Sequence, residues 1–369
     1  MKIAFDHQAF TIQSYGGISR YYTILADRLL GRAADVKVFS GFHVNNYLAD
    51  LPIGVVKGKK LKNYPLRSGQ VFHLLNHGFS QSKMKVWRPD IIHETYYSAL
   101  PTCKTNSIRV TSVYDMIHEL FGAQFSKHDK TTYRKKTTFD RVDHIVSISH
   151  STKRDLIKIL DVDESKISVV HLGVDLQAFT KNKVDANFSA ESYILYVGSR
   201  GGYKNFHGFL KACAASNVIK NRIIIIAFGG GGFSRSEESI ISSLGFSDGF
   251  VVQVSGSDEI LASLYASAIC FVYPSLYEGF GLPPLEAMAA KCPVVSSNAS
   301  SMPEVINDAG IYFDPNSVEE MRLAIESVIE DVTLRAKLIL LGLENIKKFS
   351  WEKCAGETLS VYENLIGKL

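Results

Sequence analysis

Short apolar, β-branched runs alternate with helix-length amphipathic segments along almost the whole chain. The runs are KIAF (2–5), DVKVFSG (35–41), DIIHE (90–94), RVTSVYD (109–115), HIVSIS (144–149) and ISVVHLG (167–173), then YILYVGS (193–199), RIIIIAFG (222–229), FVVQVS (250–255), ICFVYPS (269–275), PVVSSN (293–298) and GIYFD (310–314). Runs that are apolar on both faces predict strands covered on both sides. Helix-length spacers between them predict parallel pairing, the doubly wound α/β class. The periodicity lapses once, over LQAFTKNKVDANFSAES (176–192). That break predicts two Rossmann-like domains, 1–180 and 181–350, followed by a last amphipathic helix over 351–369 after FSWEK (349–353).

Composition sharpens this picture modestly. A length of 369 residues at 46% hydrophobic content exceeds one typical core, which agrees with two domains. Net charge is +4, but unevenly placed: residues 1–180 carry 25 Lys/Arg against 16 Asp/Glu (+9), and 181–369 carry 16 against 21 (−5). The clusters KGKKLK (57–62) and RKK (134–136) hold much of the excess, and either could meet an anionic membrane surface or substrate, or simply be solvated. Five cysteines without CxxC spacing predict a reducing compartment and no structural metal. The chain opens directly on a strand pattern, so no signal peptide is expected. Its purest apolar run, IIIIAF (223–228), is far short of the ~20 residues needed to cross a bilayer. A cytoplasmic protein is expected, with any membrane contact peripheral and at the inner face, and with no nucleic-acid partner.

Ligands of doubly wound sheets sit beyond the carboxyl ends of the strands, so the residues after each run are the ones to inspect. SYGGISRYY (14–22) places Gly16 and Gly17 just before a helix, where amides can approach an anion or simply make a tight turn. YVGSRGGYKNFHGFL (196–210) places Gly198, Arg200 and Lys204 in a strand-end loop, a charge pair suited to a diphosphate. FGGGGFSRSEE (228–238) lacks a true phosphate-loop pattern and reads as a loop allowing close approach. Asp161 and Asp163 in DVD read as solvated carboxylates. In YPSLYEGFGLPPLEAM (273–288), Gly279 and Gly281 open a loop and Pro283 and Pro284 prepare a helix whose first turn is expected to contain Glu286. No propensity demands Glu278 there, and a carboxylate in such a loop is a good acceptor for vicinal hydroxyls.

Glu278 and Glu286, separated by seven residues, resemble the E-x7-E signature of retaining glycosyltransferases of family 4. The likeness extends through GGISRYY, TSVYDMIHE (111–119), VSISHSTKRDL (146–156), VHLGVD (170–175), YVGSRGGYKNF (196–206), SSMPEV (300–305) and FSWEKCAGETL (349–359). Within the family it points to bacterial mannosyltransferase-like enzymes of surface-polysaccharide (O-antigen) assembly. The resemblance implies the GT-B fold: two facing Rossmann-like domains, the first on the acceptor side and the second holding the nucleotide sugar, with a cleft between them and a last helix crossing back to the first. It implies that Glu278 binds donor-sugar hydroxyls, Glu286 the ribose, and Arg200 and Lys204 the diphosphate. The amides of Phe280, Gly281 and Leu282, with Gly279 and Gly198 beside them, would hold sugar and phosphate, and Gly16 and Gly17 would approach from the first domain. Relatives commonly carry His-Asp where this chain has Tyr114-Asp115. Glu278, Tyr114 and Asp115 are thus the candidates at the reacting centre, and Arg20 and His118 are candidates for acceptor or sugar contact. The implied reaction is metal-independent, retaining transfer of a hexose, first of all mannose from GDP-mannose, to a saccharide or a polyprenyl-diphosphate-linked saccharide. Alternatives are a UDP-linked hexose donor, an epimerase or phosphorolytic enzyme of the same fold, and a non-catalytic nucleotide-sugar-binding subunit.

Overall fold

The computed structural model describes residues 1–102, 104–175, 179 and 193–368. The expected joint at 176–192 lies outside the described residues apart from Phe179, as does Cys103. The chain divides into two units: Met1–Gly173 together with the segment from Trp351, and Val174–Ser350. The division falls at 173 rather than 180 because Val174 donates its N–H to the Phe349 carbonyl at 3.2 Å, which fastens it to the second unit.

The first unit holds β1 (Lys2–Phe5), β2 (Asp35–His43), β3 (Val56–Lys60), β4 (Ile91–Glu94), β5 (Ile108–Val113), β6 (His144–Ser147) and β7 (Ile167–Val169). They pair in parallel in the order β3-β2-β1-β4-β5-β6-β7. Every residue of β4, β5 and β6 is buried, as strands apolar on both faces should be. The helices are α1 (Gln8–Ile12), α2 (Gly17–Leu30), α3 (Gly69–Trp87), α4 (Ile117–Leu120), α5 (Thr131–Arg141) and α6 (His150–Leu160).

One strand escaped the sequence pattern. β3 carries VKGKK, read above only as a basic cluster, and forms the edge of the sheet with Lys59 and Lys60 exposed. A single apolar residue cannot announce a strand. Lysines on an edge do, however, discourage pairing with another chain. The second basic cluster also divides: Arg134 and Lys136 are exposed, but Lys135 is buried. Its ammonium donates to Glu119 Oε2 and to the Asp115 carbonyl, both at 2.8 Å.

The second unit holds β8 (Tyr193–Val197), β9 (Ile224–Phe228), β10 (Val251–Val254), β11 (Phe271–Tyr273), β12 (Val294–Ser297) and β13 (Gly310–Phe313), in the parallel order β10-β9-β8-β11-β12-β13. Its helices are α7 (Phe206–Ala214), α8 (Arg235–Ser243), α9 (Asp258–Ser267), α10 (Leu282–Ala289), α11 (Met302–Ile306), α12 (Val318–Glu330) and α13 (Val332–Asn345). Ile194, Tyr196, Phe209, Ile225, Val272, Val295, Phe313 and Ile325 meet in one core.

The last helix, α14 (Trp351–Ile366), packs in the first unit. Cys354, Ala355, Thr358 and Tyr362 are its buried face, at helical spacing, and the Trp351 ring meets Tyr21 of α2 at 6.1 Å. Arg28 binds the Glu352 carboxylate at 3.0 Å, and Arg32 binds its carbonyl at 2.9 Å. Deeper in, the Tyr362 hydroxyl lies 2.5 Å from Nδ1 of His93 on β4, whose Nε2 lies 2.9 Å from the Ser112 hydroxyl. Burial pushes His93 down to about 3, opposed in part by Asp6, so the imidazole is neutral and links helix to sheet.

Candidate active site

In the second unit the strand order reverses between β8 and β11, which opens a crevice at their carboxyl ends. The two loops that leave those strands carry Gly198, Arg200 and Lys204 on one side and Glu278, Gly279, Phe280 and Gly281 on the other. Gly198 has φ +131°, a conformation in which a side chain would be strained. The loops are stapled together: Leu276 donates its N–H to the Tyr203 carbonyl at 2.7 Å, and the Asn205 amide reaches the carbonyls of Pro274 at 3.1 Å and Pro315 at 2.8 Å.

Across this staple, Lys204 Nζ and Glu278 Oε1 pair at 2.7 Å. The pair is largely shielded, with side chains 17% and 10% exposed, and the ammonium lies 5.5 and 5.6 Å from the rings of Tyr203 and Tyr273. Burial and then the Glu278 charge drive the Tyr273 phenol well above its ordinary pKa. The Glu278 backbone is equally fixed. Its N–H donates to Ser300 Oγ at 2.8 Å, and the Ser301 hydroxyl donates to the carbonyls of Glu278 at 2.9 Å and Phe280 at 2.7 Å. An ion pair held so closely at a crevice can exchange partners with a ligand that offers a phosphate to the lysine and hydroxyls to the carboxylate.

Arg200 is placed differently. Its Nε donates to Glu237 Oε1 at 2.6 Å, Nη1 to the Gly229 carbonyl at 2.8 Å and Nη2 to the Gly232 carbonyl at 2.9 Å, leaving the side chain 3% exposed. Burial opposes ionisation of Glu237, but hydrogen bonds from Arg200 and Ser234 outweigh it and hold the carboxyl at about 2. The glycine run 229–232, expected to allow close approach, thus folds around the guanidinium. Gly229, Gly230 and Gly231 have φ of +88°, +71° and +73°, which turns successive carbonyls inward. Glu237 was not singled out from the sequence. Its signal was readable as the S-x-x-E capping box that starts α8, with Ser234 and Glu237 each bonding the other's backbone.

Gly281 caps α10 with φ +117°, and a Cβ there would come within 2.8 Å of Met302 Cε. The helix begins at Leu282, so Glu286 lies in its second turn rather than its first. A preference for acids at helix starts therefore does not account for Glu286, which stands beside the buried Tyr265. Pro283 and Pro284 carry no N–H, so the amides at this helix start come from Gly281, Leu282 and Leu285.

The candidates of the first unit do not assemble in this way. Gly16 precedes α2 with extended backbone, and a Cβ there would strike the Gln13 side chain, whose oxygen accepts the Ser19 N–H at 3.2 Å. Gly17 has open space around it. Arg20 lies half-buried on α2 with its N–H on the Gly16 carbonyl at 3.0 Å. Tyr114 packs edge-on to Tyr21 at 6.0 Å and Tyr22 at 6.5 Å, and burial drives its phenol well above the ordinary value. The residue is half-buried, and its hydroxyl is buried without a hydrogen-bond partner. Asp115 accepts the Ile117 N–H at 3.0 Å and lies 3.7 Å from Lys135, so it starts α4 and anchors a buried cation. His118 is 2.9 Å from Asp129 and stacks on Phe125 at 4.0 Å.

Two parallel doubly wound sheets, one bearing a lysine–glutamate pair at its switch-point crevice, define a class of two-Rossmann transferases that handle nucleotide-linked groups. Residues 15–178 match the family described as Glycosyltransferase Family 4, and residues 179–341 match Glycosyl transferases group 1. The chain is 31% identical over 254 residues to O-antigen chain mannosyltransferase B of Escherichia coli, covering 66% of this chain and 67% of that one. It is 29% identical over 236 residues to O-antigen chain mannosyltransferase RfbU of Salmonella typhimurium, covering 63% and 64%. Among solved structures, sucrose-phosphate synthase of Thermosynechococcus elongatus superposes with a TM-score of 0.78 at 19% identity over the whole of both chains. WaaG, a glycosyltransferase involved in lipopolysaccharide biosynthesis, gives 0.72 at 15% identity over 98% and 99%. The chain belongs to the family 4 glycosyltransferases and has their GT-B fold.

Proposed function

We propose that this glycosyltransferase moves mannose from GDP-mannose, with retention of anomeric configuration, onto a saccharide carried by a polyprenyl diphosphate in O-antigen assembly. The observation that carries the donor site is the Lys204–Glu278 pair at 2.7 Å, with Glu286 one helical turn beyond the glycine loop. Lys204 turns to the diphosphate and stabilises the charge that develops on the leaving group, while Glu278 accepts from the sugar hydroxyls and Glu286 from the ribose. Arg200 adds its charge from behind, held by Glu237 and the glycine carbonyls. These cations do the work a divalent ion would do, so transfer is independent of metal. The relatives named as mannosyltransferases support the choice of sugar.

Peripheral contact with an anionic bilayer belongs to the same reading. Lys2, Lys37, Lys57 and Lys83 ring a groove of about 690 Å³ beside Trp87, with no carboxylate in its lining. Lys37 stands 4.4 Å from the Trp87 ring, and Val86 is 81% exposed. Lysines around an interfacial tryptophan suit a lipid headgroup layer. No helix of the described residues is long and apolar enough to span a membrane.

The test is transfer from a panel of GDP- and UDP-linked hexoses to a lipid-diphosphate disaccharide, with product anomer read by NMR, in the presence and absence of EDTA. GDP-mannose turnover insensitive to EDTA is the expected result. Preference for a UDP sugar replaces the donor, and loss of activity in EDTA removes the metal-independent mechanism.

A further inference from the structure

A second cavity, of about 600 Å³, is lined wholly by residues of the first unit and shares none with the donor site. Its walls combine two chemistries. Tyr64, Tyr97, Leu74 and Leu100 give it aromatic and aliphatic surface, and His73 and Arg134 face it with basic groups. Arg134 is exposed and forms no ion pair among the described residues, yet lies close enough to His73 to disfavour a second positive charge there. Asp6, whose charge reaches His73, is engaged: it accepts from the Thr95 N–H and hydroxyl and from the Gln8 side chain.

Two oddities adjoin this cavity. Helix α3, which forms one wall, is inverted: its buried residues are Asn76, Ser80 and Met84, while Val71, Leu74 and Leu75 are 56%, 57% and 55% exposed. Those three fall within one stripe at helical spacing, and Leu74 also lines the cavity. Ile12, at the end of α1, lines it too and is 58% exposed. A continuous apolar stripe on the outside of a helix marks a surface that something apolar covers. In addition, His7 is fully buried with no hydrogen bond to either ring nitrogen, its ring 5.2 Å from that of His73. A buried donor and acceptor left unpaired are costly, and His7 adjoins the cavity through its ring neighbour His73 rather than lining it.

We propose that this cavity holds the lipid-proximal end of the acceptor: a phosphate or diphosphate ester of an aliphatic chain. The ester oxygens are bound by Arg134 and His73, and the chain leaves over Ile12 and Leu74 onto the exposed stripe of α3. The proposal rests on the lipid-linked acceptor reading above, and adds where that lipid is gripped and by which residues. Tyr64 is pre-set for the task, since its hydroxyl donates to the Phe42 carbonyl at 2.8 Å and its ring stacks on Phe72 at 4.7 Å. The same phosphate-on-lipid chemistry is offered by bilayer phospholipid, so the experiment separates the two.

Binding of farnesyl diphosphate to the full chain is measured by calorimetry, alongside inorganic pyrophosphate, farnesol and phosphatidylglycerol micelles. Loss of a charged hydrogen bond predicts that Arg134→Ala weakens farnesyl diphosphate about tenfold or more. Arg134→Lys restores part of that loss, and Leu74→Ser weakens farnesyl diphosphate while leaving pyrophosphate unchanged. Both side chains are solvent-exposed, so the fold is retained, and GDP-mannose stabilisation of the variants reports on the donor site separately. If GDP-mannose fails to bind while farnesyl diphosphate binds as described, the donor reading falls and the lipid site stands. No farnesyl diphosphate binding, equal binding to wild type and variants, or displacement by phosphatidylglycerol as effective as by farnesyl diphosphate itself, would overturn the proposal.

Discussion

The two units share one topology and use their strand-end loops in opposite ways. After β8 and β11, charged side chains stay at the crevice: Lys204 and Glu278 pair at 2.7 Å with a residual exposure that lets a ligand reach them. After β5, one strand beyond the switch point of the first unit, the side chains are engaged by their own neighbours even where they are not deeply buried: Asp115 is 31% exposed. Tyr114 enters an aromatic cluster with Tyr21 and Tyr22, and Asp115 serves Lys135 and the start of α4. The lesson is that position at a strand's carboxyl end offers a residue to a ligand only when the fold has not already used it. Packing decides between the two uses.

The largest effect that sharpens this contrast is expected from the crevice pair. Lys204→Ala or Glu278→Ala should lower kcat/KM for sugar transfer by about a hundredfold to a thousandfold, the range for removing a preorganised charge at a reacting centre. Circular dichroism should show the fold intact. Activity within a few-fold of wild type would mean that the pair is structural and that the contrast with Asp115 and Lys135 is false.

Next comes Arg200, whose role differs from that of Lys204 in the structure. Glu237→Gln removes the carboxylate that holds Arg200, and loss of a charge-assisted bond predicts a destabilisation of about 1.5–3 kcal/mol in urea unfolding, with donor affinity also reduced. Should Glu237→Gln instead leave stability unaltered, Arg200 is not anchored there.

The pH dependence of the first unit supplies a third test. His93 titrates near 3 in the folded protein against about 6.5 unfolded. Between those values the unfolded chain binds the extra proton, so stability should fall as pH drops from about 6.5 towards 3. His93→Gln should flatten that slope, as measured by urea midpoints across the range; an unchanged slope would place the acid sensitivity elsewhere.

Smallest of all should be Tyr114→Phe. The hydroxyl is buried without a hydrogen-bond partner, so transfer should change by less than about threefold, while stability should hold or rise by up to about 1 kcal/mol as an unsatisfied polar group is removed. A tenfold loss of kcat at unchanged stability would instead restore Tyr114 to the reacting centre.

Much of this was legible in advance because it depends on short-range pattern. Each of the twelve apolar runs contains a strand, since a strand buried on both faces needs little more than consecutive β-branched residues. The edge strand VKGKK was not legible, because an edge tolerates polar residues on both faces and so leaves no periodic signal. Likewise RKK looked uniform, although burial separates Lys135 from its neighbours.

The site shows the same division. Linear order alone pointed to the glycine loop, Lys204 and Glu278 as candidates, because turns that need positive φ and charges at strand ends are local features. That Lys204 meets Glu278 across 74 positions, that Arg200 meets Glu237 and the glycine carbonyls instead, and that α3 turns leucines outward were decided only by tertiary structure. The physical reason is that ion pairing and burial depend on which groups the packed sheets bring within a few ångströms. The sequence determined the two sheets, their order of elements and the family; the packed fold determined which of its charges remain available for chemistry.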